Sequence, residues 1–118
     1  MKQSNDQHLF DLESASQVQK MAGDVSLREL SQKWINASGD YKYVYNWKWL
    51  GLPIIQLPAD VLVTQEIIWR VRPTIIIETG IARGGSLLFY ASQLAILDLC
   101  EQGVSDLSNG HRKCIGVD

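Results

Sequence analysis

The sequence predicts an α/β fold in which helices precede one strand–helix–strand unit of a parallel sheet. Three observations carry that prediction. "TIIIE", residues 74–78, is a continuous β-branched run without polar alternation, as expected of a strand covered on both faces. Three glycines follow closely, Gly80, Gly84 and Gly85, where such a strand must turn into a helix. "SLLFYASQLAILDLCEQG" then has the length and apolar surface of a crossover helix closed by Gly103, and a second short apolar run, "CIGVD", comes after it.

The elements before that unit can be read in order. Residues 1–25 are rich in Gln, Ser and Asp with scattered apolar positions, and read as a mobile or weakly helical lead-in without chemistry. Residues 26–72 hold N-terminal helices and an aromatic arm. "SLRELSQKWINASG" opens with Ser26 and Glu29 in capping-box spacing, sets Leu27, Leu30 and Trp34 on one face, and stops at Gly39. If the next segment is extended, Tyr41, Tyr43, Tyr45, Trp47 and Trp49 fall on one side and Lys42, Asn46 and Lys48 on the other. Such an arm could pack on the domain, line a substrate pocket or stack on bases; the lack of excess positive charge favours packing. Pro53 and Pro58 make "WLGLPIIQLPAD" a structured loop. "DVLVTQEIIWRVRP" places Val63, Ile67, Ile68 and Val71 at helical spacing and must end at Arg72, because the residue before Pro73 disfavours the helical region. Residues 73–118 form the βαβ unit, with the polar loop "VSDLSNGHRK" leading into the second strand.

Composition removes several functions. A chain of 118 residues makes about one small domain, and a net charge of −2 with both signs interspersed offers no stripe for phosphates, so no nucleic-acid partner is expected. The apolar runs fall far short of the ~20 residues of a spanning helix, and the N-terminus has no signal-peptide core, so the expected location is cytoplasmic. Cys100 and Cys114 have no metal or redox spacing and read as reduced packing residues. His8 and His111 have no neighbours that would make either a convincing base.

The glycine loop is where a ligand belongs. In open α/β sheets ligands sit beyond the carboxyl ends of the strands, and the amides opening the next helix favour an anionic group. Gly80 permits a tight turn, while Gly84 and Gly85 allow close approach of ligand and helix, with Ser86 at the helix start. No GKS or GKT closes the loop, which excludes a P-loop. Read as Gly80, Ala82, Gly85, it is a near miss of the dinucleotide fingerprint, which keeps an NAD-type oxidoreductase as an alternative. The acids argue against it. Glu78, two residues before the first glycine, would repel a pyrophosphate, and Asp118 comes much later than the ~20 residues the dinucleotide pattern expects. A cofactor with an ammonium, a carboxylate, a sulfonium and a ribose fits this layout, and S-adenosylmethionine has all four.

The stretch "WLGLPIIQLPADVLVTQEIIWRVRPTIIIETGIARGGSLLFYASQL" closely resembles the cephalosporin hydroxylase family. Its pieces are Trp49, Leu50, Gly51, Pro53, Gln56, Pro58 and Asp60, then Gln65–Glu66, Arg72–Pro73, and ETG followed by GGS; the match runs from Trp47 to Asp118. The family is populated by S-adenosylmethionine-dependent O-methyltransferases, including rhamnosyl O-methyltransferases. The resemblance implies a Rossmann-like class I methyltransferase in which Glu78, Gly80, Ala82, Gly84 and Ser86 line the methionine side of the cofactor and Asp118 holds the ribose. The expected substrate is a hydroxyl of a sugar, glycolipid or natural product. No facial triad of His and carboxylate supports hydroxylation by iron. Members of the family continue beyond the second strand, so the chain is expected to be an N-terminal part, with an incomplete sheet and inactive alone. A completing chain or second copy, or an interaction role through open sheet edges, then enters as an expectation. No catalytic residue or metal ligand can be assigned in this sequence; a Mg²⁺ ion would be held by residues beyond it.

Overall fold

The computed structural model describes residues 5–103 and 110–118. The first four residues of the lead-in and residues 104–109 of the polar loop lie outside the described residues. The chain divides into two compact units, Met1–Tyr41 and Lys42–Asp118.

The first unit consists of helix α1 (Asn5–Gly23) and helix α2 (Val25–Gly39). Neither has a buried residue, so apolar side chains such as Phe10, Leu30 and Trp34 stand in solvent. The cap of α2 differs from the expected Ser26–Glu29 box. Asp24 is the N-cap: one carboxylate oxygen accepts from the Leu27 amide at 3.0 Å and from the Ser26 hydroxyl at 2.7 Å. A carboxylate two residues earlier satisfies the orphan amides better than a serine within the first turn can. These hydrogen bonds hold the Asp24 carboxyl below its usual range, the Leu27 amide contributing most.

The second unit opens differently from the extended arm that aromatic alternation predicts. Tyr43–Tyr45 winds into a single 3-10 turn, and only Trp47–Trp49 (β1) is extended. β1 pairs antiparallel with β2 (Leu52–Ile54), Trp49 opposite Leu52, across the two-residue turn Leu50–Gly51. Both turn residues have positive φ, 45° and 91°. That is what a tight hairpin requires of its two central residues, but leucine in place of the usual Asn or Asp hides it from a reading of the sequence. The hairpin is pinned by Trp49. Its ring meets Phe89 edge-on at a centroid distance of 4.9 Å, and its indole N–H donates to Ser92 Oγ at 3.1 Å.

Helix α3 (Pro58–Val71) starts with proline in its first turn and ends at Arg72, which takes a left-handed φ of 51° before Pro73. β3 (Ile75–Thr79) leads through the glycine loop to helix α4 (Gly85–Gln102), and β4 (Lys113–Val117) pairs parallel with β3 in the register Ile75↔Lys113 to Thr79↔Val117. The unit is thus α/β, with helices ahead of a small parallel sheet in the expected order of strand, loop, helix and strand.

Burial along both strands alternates, which departs from the two covered faces expected of "TIIIE". Ile76, Glu78, Cys114 and Gly116 lie on the sheltered face, while Ile75, Ile77, Ile115 and Val117 are exposed. On the sheltered face Ile76 and Cys114 pack against a core of Ile54, Ile68, Phe89, Leu94 and Leu97. Burial pushes the Cys114 thiol pKa up, and the Glu78 carboxylate adds to the shift, so Cys114 stays a neutral packing residue at neutral pH.

The amino ends of β3 and β4 are tied by charge. Arg112, whose side chain is only 4% exposed, donates to Asp98 Oδ1, to Glu101 Oε2 at 2.7 Å and to the Pro73 carbonyl at 3.1 Å. Arg72 donates to the other Glu101 oxygen at 3.0 Å and lies over the Trp69 ring. One guanidinium thereby links the start of β4, the segment leading into β3 and the last turns of α4.

Candidate functional site

The carboxyl ends of β3 and β4 collect the residues that the sequence nominates. The last hydrogen-bonded pair is Thr79↔Val117, and Gly80 N donates to Val117 O at 2.8 Å, which extends the ladder by one step. This bond sets the first residue of the loop beside the exposed Asp118. Gly80 then turns with φ of 81°, and there is open space where a side chain would be.

The loop continues with unusual backbone. Ala82 takes φ of 48° and Gly84 φ of 78°, while Gly84 N closes a turn onto Ile81 O at 2.9 Å. A left-handed alanine costs roughly 1–2 kcal/mol, and such residues gather at ligand clamps and active sites. Gly84 is the N-cap of α4 and brings no side chain to the amides of the first turn. Arg83 points to solvent.

Gly85 has a packing reason of its own. A Cβ there would lie 2.1 Å from the Pro53 carbonyl oxygen and 2.8 Å from the Ile54 nitrogen, so the first residue of α4 rests directly on the backbone of β2. Gly116, absent from the sequence-based nominations, does similar work on β4. A side chain there would collide with Ile81 Cδ1 at 2.6 Å, and its absence lets the loop's Ile81 seat against the strand. A glycine inside a short strand is a readable sign of such close approach.

Ser86 and Glu78 meet. The Ser86 hydroxyl donates to Glu78 Oε1, joining the first turn of α4 to the end of β3. The other carboxylate oxygen, Glu78 Oε2, is buried and accepts no hydrogen bond from the protein. Buried polar atoms are nearly always paired, so this oxygen is an acceptor that the protein itself does not satisfy. An open cleft of about 510 Å³ lies beside Glu78 on the side of α3, where Thr64, Ile67, Val71, Ile77 and Tyr90 form much of its wall. The site therefore offers a carboxylate acceptor, a helix start open to an anion, and an exposed acid immediately after the neighbouring strand. No group of three or more His, Cys, Asp or Glu among the described residues could hold a metal ion, and no helix among them is long and apolar enough to cross a membrane.

No curated protein and no solved structure showed significant similarity to the chain. The family model described as rhamnosyl O-methyltransferase/CmcI matches residues 41–118, which takes in the hairpin, α3 and the whole strand–loop–helix–strand unit. With two thirds of its length accounted for in this way, the chain belongs to the rhamnosyl O-methyltransferase/CmcI family, a family of O-methyltransferases.

Proposed function

We propose that the chain binds S-adenosylmethionine at the carboxyl ends of β3 and β4, as part of a Rossmann-like enzyme that methylates a hydroxyl of a sugar, glycolipid or natural product. The observation that supports this reading most is the buried, unpartnered Glu78 Oε2. A buried acceptor left without a donor costs about 1–3 kcal/mol, which a ligand with a cationic N–H recovers on binding. A pyrophosphate at the same position would meet a carboxylate of its own sign.

In this reading Glu78 accepts from the ammonium of the cofactor and Ser86 holds the carboxylate in place for it. Gly80 and Ala82 shape the turn, and Gly84 and Gly85 keep side chains away from the first amides of α4, which face the cofactor's own carboxylate. Asp118 accepts from the ribose hydroxyls. When bound, the cofactor supplies a methyl group made electrophilic by its sulfonium. What these residues contribute is alignment: a donor fixed at both its amino-acid and ribose ends is confined to the approach that an in-line displacement needs.

Titration calorimetry with S-adenosylhomocysteine tests the reading. Binding is expected, with at least tenfold weakening in Glu78→Gln and a clear loss in Asp118→Ala. No heat of binding, or wild-type affinity in both variants, would refute it.

A further inference from the structure

We infer that Gln56 is a second acceptor at the same site and that its side-chain carbonyl receives an N–H from the amino-acid end of the bound cofactor. The inference rests on the S-adenosylmethionine reading above and deepens it. Its starting point is a coincidence of burial. Among the described residues, the buried side-chain polar atoms without a hydrogen-bond partner are Glu78 Oε2 and Gln56 Oε1. Both are acceptors, so each needs a donor that the protein does not provide.

Their elements also converge. Gln56 lies between β2, which ends at Ile54, and α3, which begins at Pro58. The backbone of β2 at Pro53 and Ile54 is pressed against Gly85, immediately before the Ser86 that holds Glu78. The wall of α3 lines the cleft that opens on Glu78. The segment carrying Gln56 is thus bounded on both sides by elements that touch the surroundings of Glu78.

The chemistry narrows the ligand group. A primary ammonium has three N–H donors and is poorly satisfied by one carboxylate oxygen alone. A carboxylate oxygen and an amide oxygen together give it two acceptors with a single negative charge. The atom of Gln56 that is buried is the carbonyl oxygen, which suits a donor and would oppose the cofactor's carboxylate. A glutamine that served only the fold would be expected to pair this atom within the protein.

The test compares two ligands in the full chain. S-adenosylhomocysteine carries the amino-acid end, whereas 5′-methylthioadenosine lacks it. Gln56→Met keeps the length of the side chain and removes the acceptor. It is expected to weaken S-adenosylhomocysteine about tenfold in titration calorimetry, to leave 5′-methylthioadenosine within twofold, and to leave the Tm of the ligand-free protein unchanged or raised. Wild-type affinity for S-adenosylhomocysteine in Gln56→Met, alongside weakened binding in Glu78→Gln, would overturn the role of Gln56 while the cofactor reading stands. An equal loss for both ligands, or a lower Tm without ligand, would make Gln56 a support of the fold and also overturn it. Failure of the wild type to bind S-adenosylhomocysteine would remove both.

Discussion

The two ends of the parallel strand pair treat polar groups in opposite ways. At the amino ends, Arg112 is sunk to 4% side-chain exposure and surrounded by acceptors from Pro73, Asp98 and Glu101, with Arg72 closing on Glu101 from the other side. At the carboxyl ends, Glu78 keeps a buried oxygen open, as Gln56 does between β2 and α3, and the loop between strand and helix runs through three left-handed residues. Closed polar networks hold an architecture in one arrangement, whereas open polar groups and strained turns lower stability until a ligand completes them. The strand pair is therefore fastened at one end and left open at the other, and on the proposed function substitutions at the two ends should fail in different assays.

The largest effect is expected where the fastening is cut. Arg112→Met leaves Asp98 buried with its main cationic partner gone, and breaking a buried ion pair in this way costs about 3–5 kcal/mol. Unfolding in urea should show that loss in the midpoint with little change in slope. A loss below about 1 kcal/mol would mean that Asp98 is satisfied by other groups and that the contrast between the ends is overstated.

Next comes Gly85, at the start of α4 beside the carboxyl ends. The sequence nominates it for close approach of a ligand, and the structure adds the backbone of β2 as a neighbour. Gly85→Ala sets a methyl group 2.1 Å from the Pro53 oxygen, and such overpacking costs roughly 1–3 kcal/mol or more. The ligand-free Tm should fall well below that of the wild type. An unchanged Tm, with ligand affinity reduced, would instead place Gly85 wholly with the ligand.

Glu78→Gln should reverse that pattern. Glutamine still offers Ser86 an oxygen, so the Tm without ligand should move little, while the charged acceptor is lost. Hydrogen bonds to charged groups contribute about 1.5–3 kcal/mol, so the affinity for S-adenosylhomocysteine should drop roughly tenfold to a hundredfold. A large fall in Tm with unchanged affinity would move Glu78 to the side of the fold.

How much of this was legible in the sequence follows from the distance over which each feature is built. Glu78, Gly80, Gly84 and Ser86 lie within a few residues of one another, so strand, turn and helix start could be read together from one stretch. The hairpin escaped because Leu50 occupies a left-handed position that leucine seldom takes. The arm's alternation failed because a 3-10 turn at Tyr43–Tyr45 breaks the period of two. The fastening at the amino ends could not be read at all. Its acids Asp98 and Glu101 lie on α4, whereas Arg72 ends α3 and Arg112 precedes β4, and a single sequence says nothing about which distant charges meet. Gln56 was visible as part of a motif, but the want of a partner for its buried oxygen emerges only from the packing around it.

The smallest expected effect is also the most specific to the fastened end, because it depends on pH. The Glu101 carboxyl is held below its ordinary value of 4.5, first by the hydrogen bond from Arg112, then by that from Arg72 and by both positive charges. A carboxyl whose pKa is lower folded than unfolded adds stability that is fully present above the unfolded value and is lost as pH falls through the folded one. Wild-type stability should therefore begin to decline as pH drops past about 4.5 and go on declining below it, while Glu101→Gln lacks this component. Subtracting the urea midpoints of the two proteins at each pH from 7 down to about 3 isolates Glu101 from every other titrating group. The difference should be constant near neutrality and shrink below about 4.5, because protonation brings the wild type toward what the glutamine already is. A difference that stays constant to the acid limit would show that Asp98 and the Pro73 carbonyl satisfy Arg112 without Glu101. The fastened end would then rest on one carboxylate rather than two.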